Sequence, residues 1–184
     1  HGPGCHMHYA LRKYDFPAGE GKGARLDMHP LARKRLAELT RWHTTDWDLV
    51  LPLEGCIKAD AVQAYILDHD LPMTVASVPS VTLWQQAREL EAFTRARVQG
   101  RRVYVVTDSD WDPRYRKGSA KAAVMNSALK AVETLEDWGA RPVAVAPIPH
   151  ERYCRLHKAP KGSKRGVDDW LADGETLERL FEDE

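Results

Sequence analysis

The sequence has few cysteines, no excess of charge and no long apolar run, and each absence excludes a class of protein. Its three cysteines lie far apart and form no CxxC pair, so neither a disulfide framework nor a structural zinc site is expected. This usage fits a reducing compartment, the cytoplasm by default. Basic and acidic residues both number 27, so affinity for nucleic acid would have to come from local clusters.

Several motifs are also missing. No stretch of about 18 apolar residues predicts a membrane span, and the N-terminus lacks the apolar segment of a signal peptide. The sequence contains neither a phosphate-binding Gly-x-x-x-x-Gly-Lys-Ser/Thr loop nor a His-Glu-x-x-His metal motif. The first seven residues resemble in part an expression remnant and do not enter the fold argument.

After residue 30 the sequence alternates apolar runs with amphipathic segments. Residues 1–30 carry several glycines and prolines and are predicted to form an irregular arm, whereas 31–184 are predicted to form one α/β domain. The predicted strands are Asp48–Leu53, Thr74–Val78, Arg102–Thr107 and Arg141–Pro147. The predicted helices are Leu31–Trp42, Lys58–His69, Leu83–Val98, Gly118–Trp138, Val167–Leu171 and Glu175–Glu182.

This alternation is typical of βαβ units. It predicts a Rossmann-like three-layer sandwich around a mainly parallel sheet of about four strands. Helices cover both faces of such a sheet, so its strands are expected to be buried along their length. The predicted sheet core consists of Val50, Leu51, Leu53, Val103, Val105, Val106, Val143 and Val145.

Two acidic motifs stand at the ends of apolar strands. Glu54 and Gly55 follow the first strand, and Asp108 and Asp110 follow the third. In open α/β sheets ligands bind beyond the C-terminal strand ends, and alternate residues of an extended segment point the same way. Three carboxylates converging there would suit Mg²⁺ or Mn²⁺. Glu54 could also act as a general acid or base, and Gly55 would allow a sharp turn into the next helix.

Each motif also has a plain structural interpretation. Asp-Ser-Asp is common turn chemistry, and Glu54 could be a solvated acid beside a turn glycine. Asp112 is either a further acid or part of a turn with Pro113. Lys58, near the start of the next helix, could reach a phosphate and contribute to catalysis, although a solvated lysine is the more common outcome at such a position.

A third acidic cluster, Gly166–Leu171, follows a basic loop. Asp168 and Asp169 could support a metal site as additional acids, or they could cap the N-terminus of a helix, whose dipole favours acids. The two roles are compatible. The basic residues of the loop that are predicted to contact phosphate are Lys161, Lys164 and Arg165.

The order of these motifs resembles the Toprim family. That domain is shared by bacterial primases, type IA and type II topoisomerases, overcoming-lysogenization-defect nucleases and RecR-type repair proteins. The chain looks closer still to Toprim-like proteins of phage and plasmid replication, which often stand beside primase or helicase modules. The matching segments span nearly the whole chain and are Tyr14–Gly19, Arg25–Asp27, Glu54–Ala61, Val78–Trp84, Thr107–Asp110 and Gly166–Leu171.

The resemblance implies a Toprim fold, Mg²⁺ bound by Asp108 and Asp110, and Glu54 as the general acid or base. It also implies DNA or RNA, including single strands, as the partner, and a helicase or primase module in the same or a neighbouring protein. The sequence departs from the primase pattern after Asp110, where Trp111–Pro113 replaces a small residue and a glycine. That departure weakens the expectation of primer synthesis more than that of metal binding.

The sequence therefore predicts a Mg²⁺-dependent domain that acts on nucleic-acid phosphodiesters, by nucleotidyl transfer or by cleavage. Two alternatives stay open. A non-catalytic Toprim module would bind nucleic acid or dock a helicase without turnover, and the zero net charge favours it. A phosphohydrolase or glycosyltransferase would use the Asp-x-Asp pair on a small nucleotide.

Overall fold

The computed structural model describes residues 30–32, 34, 47–53, 55–78, 98–109, 119–149 and 164–182. Within these ranges the chain forms two strand–helix–strand units followed by two short helices. The strands are β1 (Asp48–Pro52), β2 (Met73–Val75), β3 (Val103–Thr107) and β4 (Val143–Pro147). The helices are α1 (Cys56–Asp68), α2 (Ser119–Asp137), α3 (Val167–Ala172) and α4 (Leu177–Glu182), and residues 30–32 and 34 are helical too.

The four strands form a parallel sheet in the order β2-β1-β3-β4. Val50 in β1 pairs with Val75 of β2 on one side and with Tyr104 of β3 on the other. The predicted α/β class and the parallel sheet of about four strands are confirmed. The sequence achieves this because each strand is a short, largely apolar run, rich in valine in β3, which fits a sheet covered on both faces.

Helices cover the sheet in a three-layer, Rossmann-like arrangement. Helix α1 packs against β1 and β2, whereas α2 packs against β3 and β4. Because parallel crossovers are right-handed and these two run in opposite directions across the sheet, α1 and α2 lie on opposite faces. Tyr104 of β3 stacks on Phe181 of α4 at 3.7 Å between ring centroids, and Tyr65 of α1 donates a hydrogen bond to Glu178 of α4, so α4 shares the α1 face.

The core is densest along the two central strands. All of β3 and all of β1 after Asp48 are buried. Val143 and Val145, predicted as part of the sheet core, are only partly buried, because β4 lies at the edge of the sheet. Val143 still packs against the core, and Ala146 is the one buried residue of this strand.

Helix α2 buries one stripe of its surface. Val124, Ala128, Ala131 and Leu135 recur at helical spacing and are buried, and full burial of a leucine such as Leu135 stabilises the fold by roughly 2 kcal/mol. Leu129, one residue off the stripe, is 46% exposed. An apolar residue one step out of phase points to solvent even in a strongly periodic helix.

The predicted element bounds agree with the structure to within a few residues wherever it describes them. Most of the predicted helices over 31–42 and 83–98, and nearly all of the predicted arm over 1–30, lie outside the described residues. None of the described helices is both long enough and apolar enough to cross a membrane.

Candidate functional site

The candidate site lies where the path of the chain across the sheet reverses. After β1 the chain crosses to β2 on one side, whereas β3 and β4 lie on the other side of β1. The C-terminal ends of β1 and β3 therefore flank a switch point, the usual ligand crevice of open α/β sheets. The strand order alone therefore places the candidate site at this end of the sheet.

Gly55 turns the chain from β1 into α1. Its φ is 89° and its ψ is 142°, a conformation that is essentially restricted to glycine. Its backbone N–H donates to the carbonyl oxygen of Val78 at 3.0 Å, which fixes the turn to the segment after β2. The predicted sharp turn at Gly55 is confirmed, and it lets α1 begin at the crevice.

Asp108 is the buried acid of the crevice. It directly follows β3, and its side chain is only 4% exposed. The Lys58 ammonium pairs with Oδ1, and the Lys164 ammonium lies 2.7 Å from Oδ2. A buried carboxylate is tolerated when cations and hydrogen bonds replace its lost hydration, and here a lysine pairs with each oxygen.

Lys58 enters the crevice from the first turns of α1. The expectation of a solvated lysine is wrong, because the residue is 8% exposed. Lys58, Val62 and Ile66 stand at i, i+4 and i+8 and therefore share one helix face, and both apolar residues are fully buried. That spacing is the sequence signal that would have placed Lys58 inside the fold.

Residues 164–166 lie beside the end of β3. The backbone N–H of Ser109 donates to the carbonyl oxygen of Arg165 at 2.9 Å, and the backbone N–H of Arg165 donates to Ser109 Oγ at 2.8 Å. These reciprocal bonds hold Lys164 next to Asp108. The sequence predicted no role for Ser109, although its position between two acids at a strand end was an available signal.

Arg165 stabilises this segment from inside the fold. Its side chain is fully buried, and its guanidinium pairs with Asp173 and lies over the ring of Trp170 at 5.1 Å. The predicted phosphate contact of Arg165 does not fit this burial. The guanidinium instead fastens residues 164–166 to α3, a role that the irregular local sequence did not reveal.

Gly166 is the point of closest packing in the site. A Cβ there would come 2.7 Å from Lys58 Cε and 3.4 Å from Asp108 Oδ1, with Asp168 Oδ1 nearest of all. At such distances a Cβ at Gly166 would force the ends of the Lys58 and Asp168 side chains to shift. Asp168 thus lies beside the Lys58–Asp108 pair, as expected for an additional acid of the site.

Asp168 and Asp169 differ in their surroundings. Asp169 Oδ2 accepts a hydrogen bond from the backbone N–H of Gly166 at 2.9 Å, so the predicted capping role fits Asp169. Asp168 Oδ1 is buried and has no hydrogen-bond partner among the described residues. A buried, unsatisfied carboxylate oxygen is unusual and is a natural ligand for a cation.

Glu54, Asp110, Asp112 and Lys161 lie outside the described residues. In the part of the chain that the structure describes, no group of three His, Cys, Asp or Glu residues is arranged as a metal site. Asp108 and Asp168 nevertheless supply oxygen donors, the kind that Mg²⁺ and Mn²⁺ prefer. Together with the unsatisfied Oδ1 of Asp168, this donor chemistry fits a divalent cation.

The chain was compared with protein-family models, curated proteins and solved structures, and it matches none of them. The class that fold and site define is therefore an α/β protein with a buried acid and two lysines at its switch point.

Proposed function

We propose that the chain is a Toprim-type domain that binds Mg²⁺ or Mn²⁺ and acts on nucleic-acid phosphodiesters. The observation that carries this proposal is the position of Asp108, a buried carboxylate at the switch point, with Lys58 and Lys164 on its two oxygens. Carboxylate and ammonium groups in one crevice offer cation binding and phosphate binding side by side. Phosphoryl chemistry needs both.

In this proposal the acids of the crevice hold the metal and move protons. Asp108 and Asp110 would hold the divalent cation, with Glu54 nearby and Asp168 as an additional acid. The cation would neutralise charge on the reacting phosphate. Glu54 would accept or donate the proton at the attacking or leaving oxygen.

The lysines have separate parts in the proposal. Lys58, enclosed beside Gly166, would hold the Asp108 carboxylate in position. Lys164, whose side chain is 35% exposed, would contact a phosphate of the substrate, as would Lys161. Asp112 would contribute a further acid to the site. Asp169 would hold the start of α3 in place through its hydrogen bond from the backbone N–H of Gly166.

The order of the sequence motifs supports a polynucleotide substrate. A strand with Glu-Gly, a strand with Asp-x-Asp and a late Gly-x-Asp-Asp follow one another as in Toprim-like proteins of phage and plasmid replication. The partner would then be DNA or RNA, including single strands, with a helicase or primase module in the same or a neighbouring protein.

A non-catalytic nucleic-acid-binding module is the second candidate. The lysine pairing of both oxygens of Asp108 favours it, because a carboxylate already neutralised by two ammonium groups has less need of a metal. In that case Lys164 would bind phosphate without turnover.

One experiment separates the candidates. Labelled single-stranded and duplex DNA, and RNA, are incubated with the protein, Mg²⁺ or Mn²⁺, and nucleotides. The variants are Glu54→Gln, Asp108→Asn and, as a matched control at the exposed end of α2, Asp137→Asn. Strands should become shorter or longer in the presence of metal, and Asp108→Asn should lower the rate by about 100-fold or more. Asp137→Asn should behave as wild type.

Other outcomes identify the alternatives. Unchanged strands that are bound in a Lys164-dependent manner would support the non-catalytic module. Turnover of free nucleotides without polynucleotide would support a phosphohydrolase. Metal-dependent behaviour that survives Asp108→Asn unchanged would refute the site assignment.

A further inference from the structure

The two lysines that pair with Asp108 are held in different ways. Lys58 comes from α1, its side chain is 10% exposed, and its Cε packs beside Gly166. Lys164 comes from the irregular segment before α3, and its side chain is 35% exposed. The side chain of Lys58 is thus enclosed by the protein, whereas about a third of the Lys164 side chain is in contact with water.

This difference sets the cost of removing each lysine from Asp108. An exposed ion pair contributes little, because water solvates the released ammonium. A buried pair is costly to break, because it leaves a charge without hydration. A divalent cation that binds Asp108 would repel both ammonium groups at a few ångströms. The exposed Lys164 is the one that can leave.

The backbone of Lys164 would not have to move. Arg165, the next residue, is tied to Ser109 by two hydrogen bonds, and its guanidinium is paired with Asp173. Rotation about the side-chain bonds of Lys164 is enough to take its ammonium from Asp108 to the rim of the crevice.

We infer that Lys164 is an exchangeable counterion. It neutralises Asp108 while no divalent cation is bound, and it is displaced when the cation binds. The released ammonium then meets a phosphate of the nucleic acid, so metal binding and phosphate binding are coupled through one side chain. This inference rests on the proposed function, because it concerns the same metal site.

The test is a titration of Mn²⁺ into the whole chain. Calorimetry and the electron paramagnetic resonance signal of the free ion measure how tightly the protein binds Mn²⁺. Lys164→Met should bind Mn²⁺ about three- to tenfold more tightly than wild type, because the competing ammonium is gone. Lys164→Arg keeps the charge and should stay near wild type. Lys130→Met, at an exposed lysine of α2, controls for the loss of one surface charge.

A second measurement uses a labelled oligonucleotide in the presence of Mn²⁺. Lys164→Met should bind it more weakly, and the slope of log affinity against log salt should fall by about one. Tighter metal binding together with weaker polynucleotide binding is a result that a merely structural role of Lys164 would not produce. Circular dichroism would show that the variants are folded.

The possible failures are distinguishable. If wild type binds Mn²⁺ through Asp108, as shown by its loss in Asp108→Asn, but Lys164→Met binds it no more tightly, the inference is overturned and the proposed function stands. The same holds if Lys164→Arg behaves as Lys164→Met. If wild type binds no Mn²⁺, or Asp108→Asn binds it equally well, the proposed function fails and the inference fails with it.

Discussion

The ion pairs at the two ends of the central strands differ in how deeply they are buried. At the C-terminal end the side chain of Asp108 is 4% exposed, and each of its carboxylate oxygens forms an ion pair with a lysine. At the N-terminal end Asp48 of β1 faces Arg102 at 4.0 Å, with side chains 26% and 51% exposed. The same two strands thus carry an enclosed ion cluster at one end and a loose, solvated pair at the other.

The two kinds of ion pair differ in what they contribute to the free energy of unfolding. A loose pair such as Asp48–Arg102 adds between about 0 and 1 kcal/mol. A buried pair is no better for stability than well-packed apolar residues, yet removing one partner costs about 3–5 kcal/mol. In the proposed function the charges of the enclosed cluster serve a ligand, whereas the loose pair is ordinary surface chemistry.

The largest predicted effect is that of Lys58→Met. The substitution removes the enclosed ammonium beside Asp108 Oδ1 while the carboxylate stays buried, and it should lower the free energy of unfolding by about 3 kcal/mol. Arg102→Met at the opposite end should cost less than about 1 kcal/mol. Urea denaturation of both variants measures the difference.

A double substitution sharpens this prediction. In Lys58→Met/Asp108→Asn the buried charge is gone, so the loss should be well below the sum of the two single losses. If Lys58→Met and Arg102→Met lowered the free energy of unfolding by equal amounts, the ion pairs at the two ends of the sheet would not differ in their contribution to stability.

A smaller loss of stability is expected for Gly166→Ala. The new Cβ would press on Lys58 and Asp168, whose side chains can shift, so the free energy of unfolding should fall by only about 1–2 kcal/mol. The shift would misplace the groups around Asp108, and Mn²⁺ affinity should fall by about tenfold or more. Denaturation and Mn²⁺ titration of one preparation measure both quantities.

Gly100→Ala is the control for this variant. Gly100 has a φ of 70°, and its Cβ would meet no atom within 4 Å, so alanine there should cost about 1 kcal/mol through backbone strain alone. Mn²⁺ affinity should not change. If Gly166→Ala lowered stability without affecting the metal, the close packing at Gly166 would serve the fold only.

The smallest effect concerns pH and Asp48. Burial raises the pKa of Asp48 above its usual 3.8, and Arg102 opposes that rise. Between 3.8 and the raised value the folded protein keeps a proton that the unfolded chain has released, so stability falls as pH rises through this window. Asp48→Asn should therefore be more stable than wild type at pH 7, by less than about 1 kcal/mol because the side chain is partly exposed.

The pH dependence provides its own check. Below pH 3.8 the acid is protonated in both states, so the gain of Asp48→Asn should disappear there. Thermal unfolding at a series of pH values would show it. A gain that persisted at low pH would mean that the substitution acts through packing and not through the charge.

The sequence predicted the sheet because its strands are short apolar runs whose ends are marked by polar residues. Asp108 at the end of β3 and the turn at Gly55 followed from the same pattern. Val143 and Val145 were misjudged because strand order, which makes β4 an edge, depends on contacts between distant parts of the chain.

The burial of two predicted site residues, Lys58 and Arg165, escaped prediction, as did the role of Ser109. Lys58 and Arg165 are enclosed because partners 50 and 8 residues away neutralise them. Residue type argues against burial of any cation, and no local pattern identifies such distant partners. Lys58 alone carried a usable signal, its place on the buried face of α1, whereas Arg165 lies in an irregular segment without periodicity.

The reciprocal bonds between Ser109 and Arg165 also bear on the order in which the molecule assembles. They join residues 56 positions apart, and the segment they secure follows all four strands in the chain. Contacts of such long range form late in folding, because a large loop must close before they can contribute. A ribosome would release residues 164–166 only after the whole sheet had been synthesised. Partly made chains that end before residue 164 therefore lack the pair between Lys164 and Asp108.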